Sequence, residues 1–235
     1  MNSNPQDGTS VKKYGLAFHT ATPELGLAIS NFAGDSRCQT WNLGRSLATD
    51  LHQHLVEFIG QQTWADLAFI AVAKGPGGFT GTRMGMVTAR TLAQQLDIPV
   101  FAISTLAAVA WAQPPQLPLA SEGLLSAELP LAKGGLLSIA LQMPAQRGQL
   151  FGAVYSVNKD SGLTELFPDT VMTAESWQEK LESWENSYQL IEVGSELGWS
   201  VSSVLELAYL EWKQGSRPDW SGALPYYGQH PVKGH

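Results

Sequence analysis

Three closely spaced strand patterns open the chain, a strand–glycine–helix turn follows, and strand and helix periodicities alternate after it. These observations predict an α/β fold: a mixed sheet that begins as an antiparallel meander, continues through strand–helix crossovers and carries helices against it.

The elements follow in order. Residues 1–10, MNSNPQDGTS, are polar, read as disordered and lack the apolar run of a signal peptide. KYGLAFHTAT, ELGLAISN and SRCQTW (from Lys13, Glu24 and Ser36) read as strands joined by short turns holding Pro23, Gly34 and Asp35. A helix is expected from about Arg45 to Gly60, with Leu47, Leu51, Leu55 and Phe58 on one face. Thr63 and Asp66 have the spacing of a capping pair and lead into the apolar strand LAFIAVAK (Leu67–Lys74). After GPGGFTGTRMG (Gly75–Gly85), the spacing predicts a helix from Thr82 to Leu96. A short strand, Pro99–Ile103, and a helix capped by Ser104 or Thr105 follow.

Residues 113–135 hold four prolines and three glycines and read as a linker and long loop between two lobes. Beyond it, Leu136–Met143, Gly148–Asn158 and LTELFPDTVM read as strands, the last a short one. Thr173–Trp184 reads as a capped helix, Tyr188–Gly194 as a strand and Ser200–Gln214 as an amphipathic helix. The division is therefore 11–112, a linker at 113–135, a smaller second lobe at 136–199, and a C-terminal helix and tail at 200–235 that pack back on the first lobe.

Composition narrows the function. The 235 residues are 44% hydrophobic and 15% charged, enough for sizeable cores. A net charge of -7 argues against broad electrostatic binding of nucleic acid by this chain alone, although a partner can supply a basic surface. The single cysteine, Cys38, excludes a disulfide framework and a multi-cysteine metal site. No apolar run reaches membrane-spanning length, and a cytoplasmic protein is expected. Eight tryptophans supply both core and contact surface.

The glycine turn is the first candidate site, because helix N-terminal amides beyond such a turn attract anions. Gly77, Thr80 and Arg83 are its candidate phosphate contacts. Two nucleotide signatures fail there. Gly81 is followed by Thr82 and Arg83 rather than Lys-Ser/Thr, and residue 80 is threonine where the dinucleotide fingerprint needs glycine. His52 and His54 are two apart on a helix and cannot chelate one ion. Asp50, Asp66, Glu165 and Glu192 show no pairing, so no catalytic residue, metal ligand or cofactor site is assigned.

The segments HTAT (His19–Thr22), GPGGFTGTRMG and AISTLAAVA carry a resemblance to the bacterial TsaB (YeaZ) family. Gly75, Pro76, Gly77, Phe79, Thr80, Gly81, Arg83 and Gly85 match its G-P-G-S-F-T-G-[VL]-R-[IV]-G motif, and Ser104, Thr105 and Leu106 match V-S-[TS]-L. MPAQRGQLFGAVY and ALPYYGQHPVK resemble its D-A-R-x-x-E-V-Y and terminal P-x-Y segments. The resemblance spans about residues 13–230. It departs from the family at three acids: His19 stands at the strand-end aspartate, Pro144 at the later aspartate and Gln149 at the glutamate.

The resemblance implies a two-lobed actin/hexokinase-like (ribonuclease H-like) fold of mixed sheets flanked by helices. It implies a non-catalytic scaffold that binds a TsaD-like catalytic subunit. That subunit forms threonylcarbamoyladenosine beside the anticodon of tRNAs reading codons that start with A. A TsaE-like ATPase completes the assembly, tRNA is met only indirectly, and the isolated chain is a homodimer. The two helices of the first lobe then form the dimerisation surface, with Leu47, Leu51, His54, Leu55, Arg83, Gly85, Met86, Ala89 and Ala93 as interface residues. From the residues alone, the small row Gly85, Ala89, Ala93 serves equally to approach a partner helix or to pack on the chain's own sheet. No cofactor is expected. Residual ATP or ADP binding belongs to the alternative, a nucleotide-dependent phosphotransferase of the same superfamily. An M22-type peptidase, a label the wider family once attracted, needs a metal-ligand or nucleophile set that the sequence does not show.

Overall fold

A computed structural model describes residues 13–113, 138–158 and 161–228. The expectations for residues 1–10, for nearly all of the 113–135 linker and for the end of the C-terminal tail lie outside them.

The opening meander forms as β1 (Tyr14–His19), β2 (Glu24–Ser30) and β3 (Ser36–Asn42), paired antiparallel. A short 3-10 turn precedes α1 (Leu47–Ile59), so the helix starts two residues later than its pattern suggests. Thr63 and Asp66 form the expected capping box before β4 (Leu67–Ala73). The next helix, α2, runs Phe79–Leu96 and starts three residues early, inside the glycine motif. After β5 (Val100–Ile103), Ser104 caps α3 (Thr105–Ala112) by accepting from the Ala107 amide at 3.1 Å. β1, β4 and β5 are mutually parallel, giving a five-stranded sheet in the order β3-β2-β1-β4-β5.

The second sheet has the order β8-β7-β6-β9, from β6 (Ser138–Pro144), β7 (Leu150–Asn158), β8 (Gly162–Met172) and β9 (Tyr188–Glu192). Here β6 and β7 are antiparallel, β6 and β9 parallel, and α4 (Ala174–Glu182) sits between β8 and β9 in the chain. This repeats the topology of β1–β4 and α1. The repeat is one of strand order, which short-period sequence comparison does not detect. β8 is an eleven-residue strand rather than the short one expected, because it pairs along the whole of β7.

Side-chain alternation sets five layers. Leu16, Phe18, Leu27, Ile70 and Val72 point to α1 and α2. The opposite face carries Ala17, Ala28, Ala71 and Ala73, whose small side chains let α3 and α5 (Val201–Lys213) pack closely; the inner face of the second sheet closes this core with Leu141, Ala153 and Tyr155. Trp177 and Leu181 of α4 cover its outer face over Ala140 and Val154. Of the face Val204, Leu205, Ala208 and Trp212 that the spacing gives α5, the first three are buried here, joined by Val201 and Leu207, and Trp212 is half-buried. Among the described residues no helix is long and apolar enough to cross a membrane.

Candidate functional site: a filled glycine turn and an exposed helix pair

The carboxyl ends of parallel strands are where α/β sheets usually bind ligands. Here β1 ends at His19 and β4 at Ala73, and the glycine turn spans the gap between β4 and α2. Its space is taken by the chain itself. A Cβ added to Gly77 would lie 2.2 Å from the Ala21 carbonyl oxygen, one on Gly81 2.1 Å from the Thr20 carbonyl oxygen, and one on Gly85 2.1 Å from Thr20 Oγ1. These glycines occur every fourth residue, so a single row faces the β1–β2 turn. The close approach is used for hydrogen bonds. The Gly78 amide donates to the Ala21 carbonyl at 2.7 Å, and the Thr20 hydroxyl donates to the Gly81 carbonyl at 2.8 Å.

The C-terminal segment seals the other side. The Tyr226 amide donates to the Lys74 carbonyl at 2.7 Å, and the Tyr226 carbonyl oxygen lies over Gly75, whose φ of +100° suits glycine. Of the candidate phosphate contacts, Gly77 therefore lies against Ala21, while Thr80 and Arg83 are exposed, with the Arg83 guanidinium over the Phe79 ring at 5.3 Å.

His19 is fully buried at the end of β1. Neither ring nitrogen has a hydrogen-bond partner among the described residues. Burial pushes its pKa down to about 4, so at neutral pH the position holds an uncharged imidazole. An acid there would hold a metal–phosphate group; a buried neutral imidazole has neither the charge nor the access. Magnesium-nucleotide does not fit these residues, and no group of three or more His, Cys, Asp or Glu among the described residues is placed to hold a metal.

The corresponding strand ends of the second sheet are open. A cavity of about 550 Å³ lies at the ends of β6 and β9, lined by Met143, Pro144, Gln149, Leu150, Glu192 and Gly194 among others. Its one acid, Glu192, accepts from Gln142 Nε2 at 3.3 Å, and Gln142 in turn accepts from Trp177 Nε1 at 3.0 Å. Pro144 and Gln149 leave this cavity without a carboxylate pair.

A family model described as TsaD, tRNA N6-adenosine threonylcarbamoyltransferase, matches residues 50–123, from α1 through α3. A Bacillus subtilis protein named tRNA threonylcarbamoyladenosine biosynthesis protein TsaB is 36% identical over 117 residues, 50% of this chain and 42% of that protein. A TsaB of Buchnera aphidicola is 26% identical over 56% of this chain and 52% of its own length. The solved structure of YeaZ from Pseudomonas aeruginosa superposes with a TM-score of 0.67 at 19% identity, covering 91% of this chain and 100% of that one. Over these segments the chain is similar to TsaB proteins. It spans about half the length of the curated TsaB relatives it matches. The two-sheet arrangement with flanking helices is the actin/hexokinase-like fold expected from the sequence.

The helices that carry the interface residues expected from the sequence are α1 and α2. Their apolar stripes face inward: Leu47, Leu51, Leu55, Gly85, Met86, Ala89 and Ala93 are all buried in the chain's own core. The physical reason is the small row itself, which lets α2 lie against β1 and the β1–β2 turn. Within this chain these residues rest on its own sheet and on the β1–β2 turn. His54 is half-buried and packs on the Trp41 ring at 4.7 Å, and Arg83 is exposed. Facing outward are three apolar side chains: Val56 at 64% exposure, Val87 at 59% and Phe79 at 45%. Val56 and Val87 lie off the inward stripes of α1 and α2, and apolar side chains on a polar face are the signal that marks them in the sequence.

Proposed function

We propose that this chain is a non-catalytic scaffold subunit of the cytoplasmic complex that forms threonylcarbamoyladenosine on tRNA. It acts by binding a TsaD-like catalytic subunit through the outward face of α1 and α2. The observation that carries the reading is the filled glycine turn. The cradle that holds phosphate in an active relative of this fold is here occupied by the backbone of Thr20, Ala21 and Tyr226. His19 supports the same reading, because it removes the charge that metal–phosphate chemistry needs.

In this reading, residues 11–112 form the lobe that meets the partner, and 136–199 and 200–235 brace it. Val56, Phe79, Arg83 and Val87 are the contact residues, and Leu47, Leu51, Leu55, Gly85, Met86, Ala89 and Ala93 support them from beneath. An exposed apolar helix pair costs free energy in water and is satisfied by a protein partner. Alone, the chain pairs with a second copy through the same face; in the assembly that face meets the catalytic subunit, and a TsaE-like ATPase joins the complex. The acidic chain meets tRNA only through its partners. Mixing with the cognate TsaD-like protein and measuring mass by light scattering tests the proposal: a one-to-one complex is expected, and two non-interacting species would refute it. The phosphotransferase alternative requires magnesium-dependent ATP turnover by the isolated chain.

A further inference from the structure

A second cavity, of about 250 Å³, lies between the β5 edge of the first sheet and the β7–β8 hairpin of the second. Helices α3 and α5 contribute to its walls. Ile103, Ala107, Leu163, Leu207 and Leu210 give it an aliphatic lining, and Lys74, Glu165 and Glu211 bring charge to it. Tyr155 lines it as well and ties it to a buried acid. The Tyr155 hydroxyl donates to Asp169 Oδ1 at 2.7 Å and lies 3.4 Å from Ser104 Oγ, another lining residue.

Among the described residues the charges are unbalanced: one ammonium, Lys74, stands against the carboxylates of Glu165 and Glu211 and, behind Tyr155, of Asp169. Among the described residues, the Lys74 ammonium and the Glu165 and Glu211 carboxylates make no contact ion pair or side-chain hydrogen bond. Burial raises the carboxyls of Asp169 and Glu211; hydrogen bonds with Ser104 and Tyr155 and the Lys74 charge oppose this at Asp169, and the Lys74 charge alone opposes it at Glu211. A cavity with an aliphatic wall and surplus negative charge is complementary to a methylene chain ending in an ammonium. Its volume lies below the usual range of cofactor pockets, so the occupant is small.

We propose that this cavity binds a small aliphatic ammonium compound of about the size of a four-carbon diamine. The methylene stem lies along Leu163, Leu207 and Leu210. An ammonium end meets Glu211 and Glu165, and Lys74 sets the upper limit on the charge the site accepts. The site adjoins the glycine turn through Lys74, which precedes Gly75, and its lining includes no residue of α1 or α2.

Isothermal titration of the full chain with 1,4-diaminobutane, 1-butylamine and butyrate tests this. Saturable binding of the diamine is expected, with weaker binding of butylamine and none of butyrate. Glu211→Gln, which keeps the shape and removes the charge, should weaken the diamine about tenfold or more, the usual worth of a charge-assisted hydrogen bond. Glu165→Gln should weaken it less, and Lys74→Met should tighten it by removing a competing cation. Circular dichroism and thermal midpoints of the variants check that each is folded. Absence of diamine binding to the folded wild-type chain overturns the proposal. So does butyrate binding as tightly as butylamine, or Lys74→Met weakening the diamine, since either result would make Lys74 the anchor of an anion site.

Discussion

A methyl group added at Gly85 would lie 2.1 Å from Thr20 Oγ1, closer than non-bonded atoms come, and Thr20 is fully buried with its hydroxyl committed to Gly81. Gly85→Ala should therefore cost about 1–3 kcal/mol of stability through overpacking, read as a lower midpoint in urea unfolding. An unchanged midpoint would mean that α2 does not rest on the β1–β2 turn. His19 makes a prediction about pH. Its folded pKa is about 4, below the value of 6.5 for an unburied histidine, so the unfolded chain binds the extra proton as pH falls through that window. The neutral buried form carries no penalty above pH 6.5. Between pH 6.5 and 4, this one residue should remove about 3 kcal/mol of stability. His19→Leu should flatten that part of the stability–pH curve relative to wild type. Parallel curves would show that His19 is solvated or partnered.

At the scale of elements, α2 explains both what was legible in the sequence and what was not. Its existence and its small row follow from four-residue spacing, and the row's length, from Gly77 through Ala93, is visible in the letters. What the letters leave open is which surface the row meets, because a sheet of the same chain and a helix of another chain both accept small residues. The structure places the row on β1 and its turn and leaves Val56, Phe79 and Val87 exposed, which is why the proposed contact is put on them. The early start of α2 was hidden for a related reason. Phe79, Thr80 and Gly81 are poor helix formers individually, and the helix begins there because the Gly78 amide and Gly81 carbonyl are held by the β1–β2 turn. Val87→Asp and Val56→Asp follow from this placement. Both residues are exposed, so the folded chain should keep its unfolding midpoint within about 0.5 kcal/mol. Association with the catalytic subunit should fall about tenfold or more, as charge is buried in an apolar contact. Unchanged affinity in both folded variants would place the partner face elsewhere.

At the scale of the whole molecule, two sheets of like topology are held in register by α3, α5 and the segment ending at Gly228. Sequence order predicted the first sheet strand by strand. It showed only a rhythm for the second, because the repeat lies in strand order and not in shared residues. Tyr226 joins the two halves: its amide binds Lys74 after β4, its hydroxyl donates to the Asp169 carbonyl of β8, and its ring packs on Phe151 of β7. Tyr226→Ala should cost about 2–4 kcal/mol and raise amide exchange at Gly75–Gly78 before the rest of the first sheet. Uniform exchange across the chain would show that the segment does not seal the turn. That seal makes the fold a scaffold in this account, since nucleotide would have to displace it.

The central claim is that the chain works by contact and not by turnover, and light scattering of the chain mixed with its cognate TsaD-like subunit tests it most directly. The wild-type chain should form a stable one-to-one complex that Val87→Asp disrupts. Two separate species with the wild-type chain, or an identical complex with folded Val87→Asp and Val56→Asp, would contradict it.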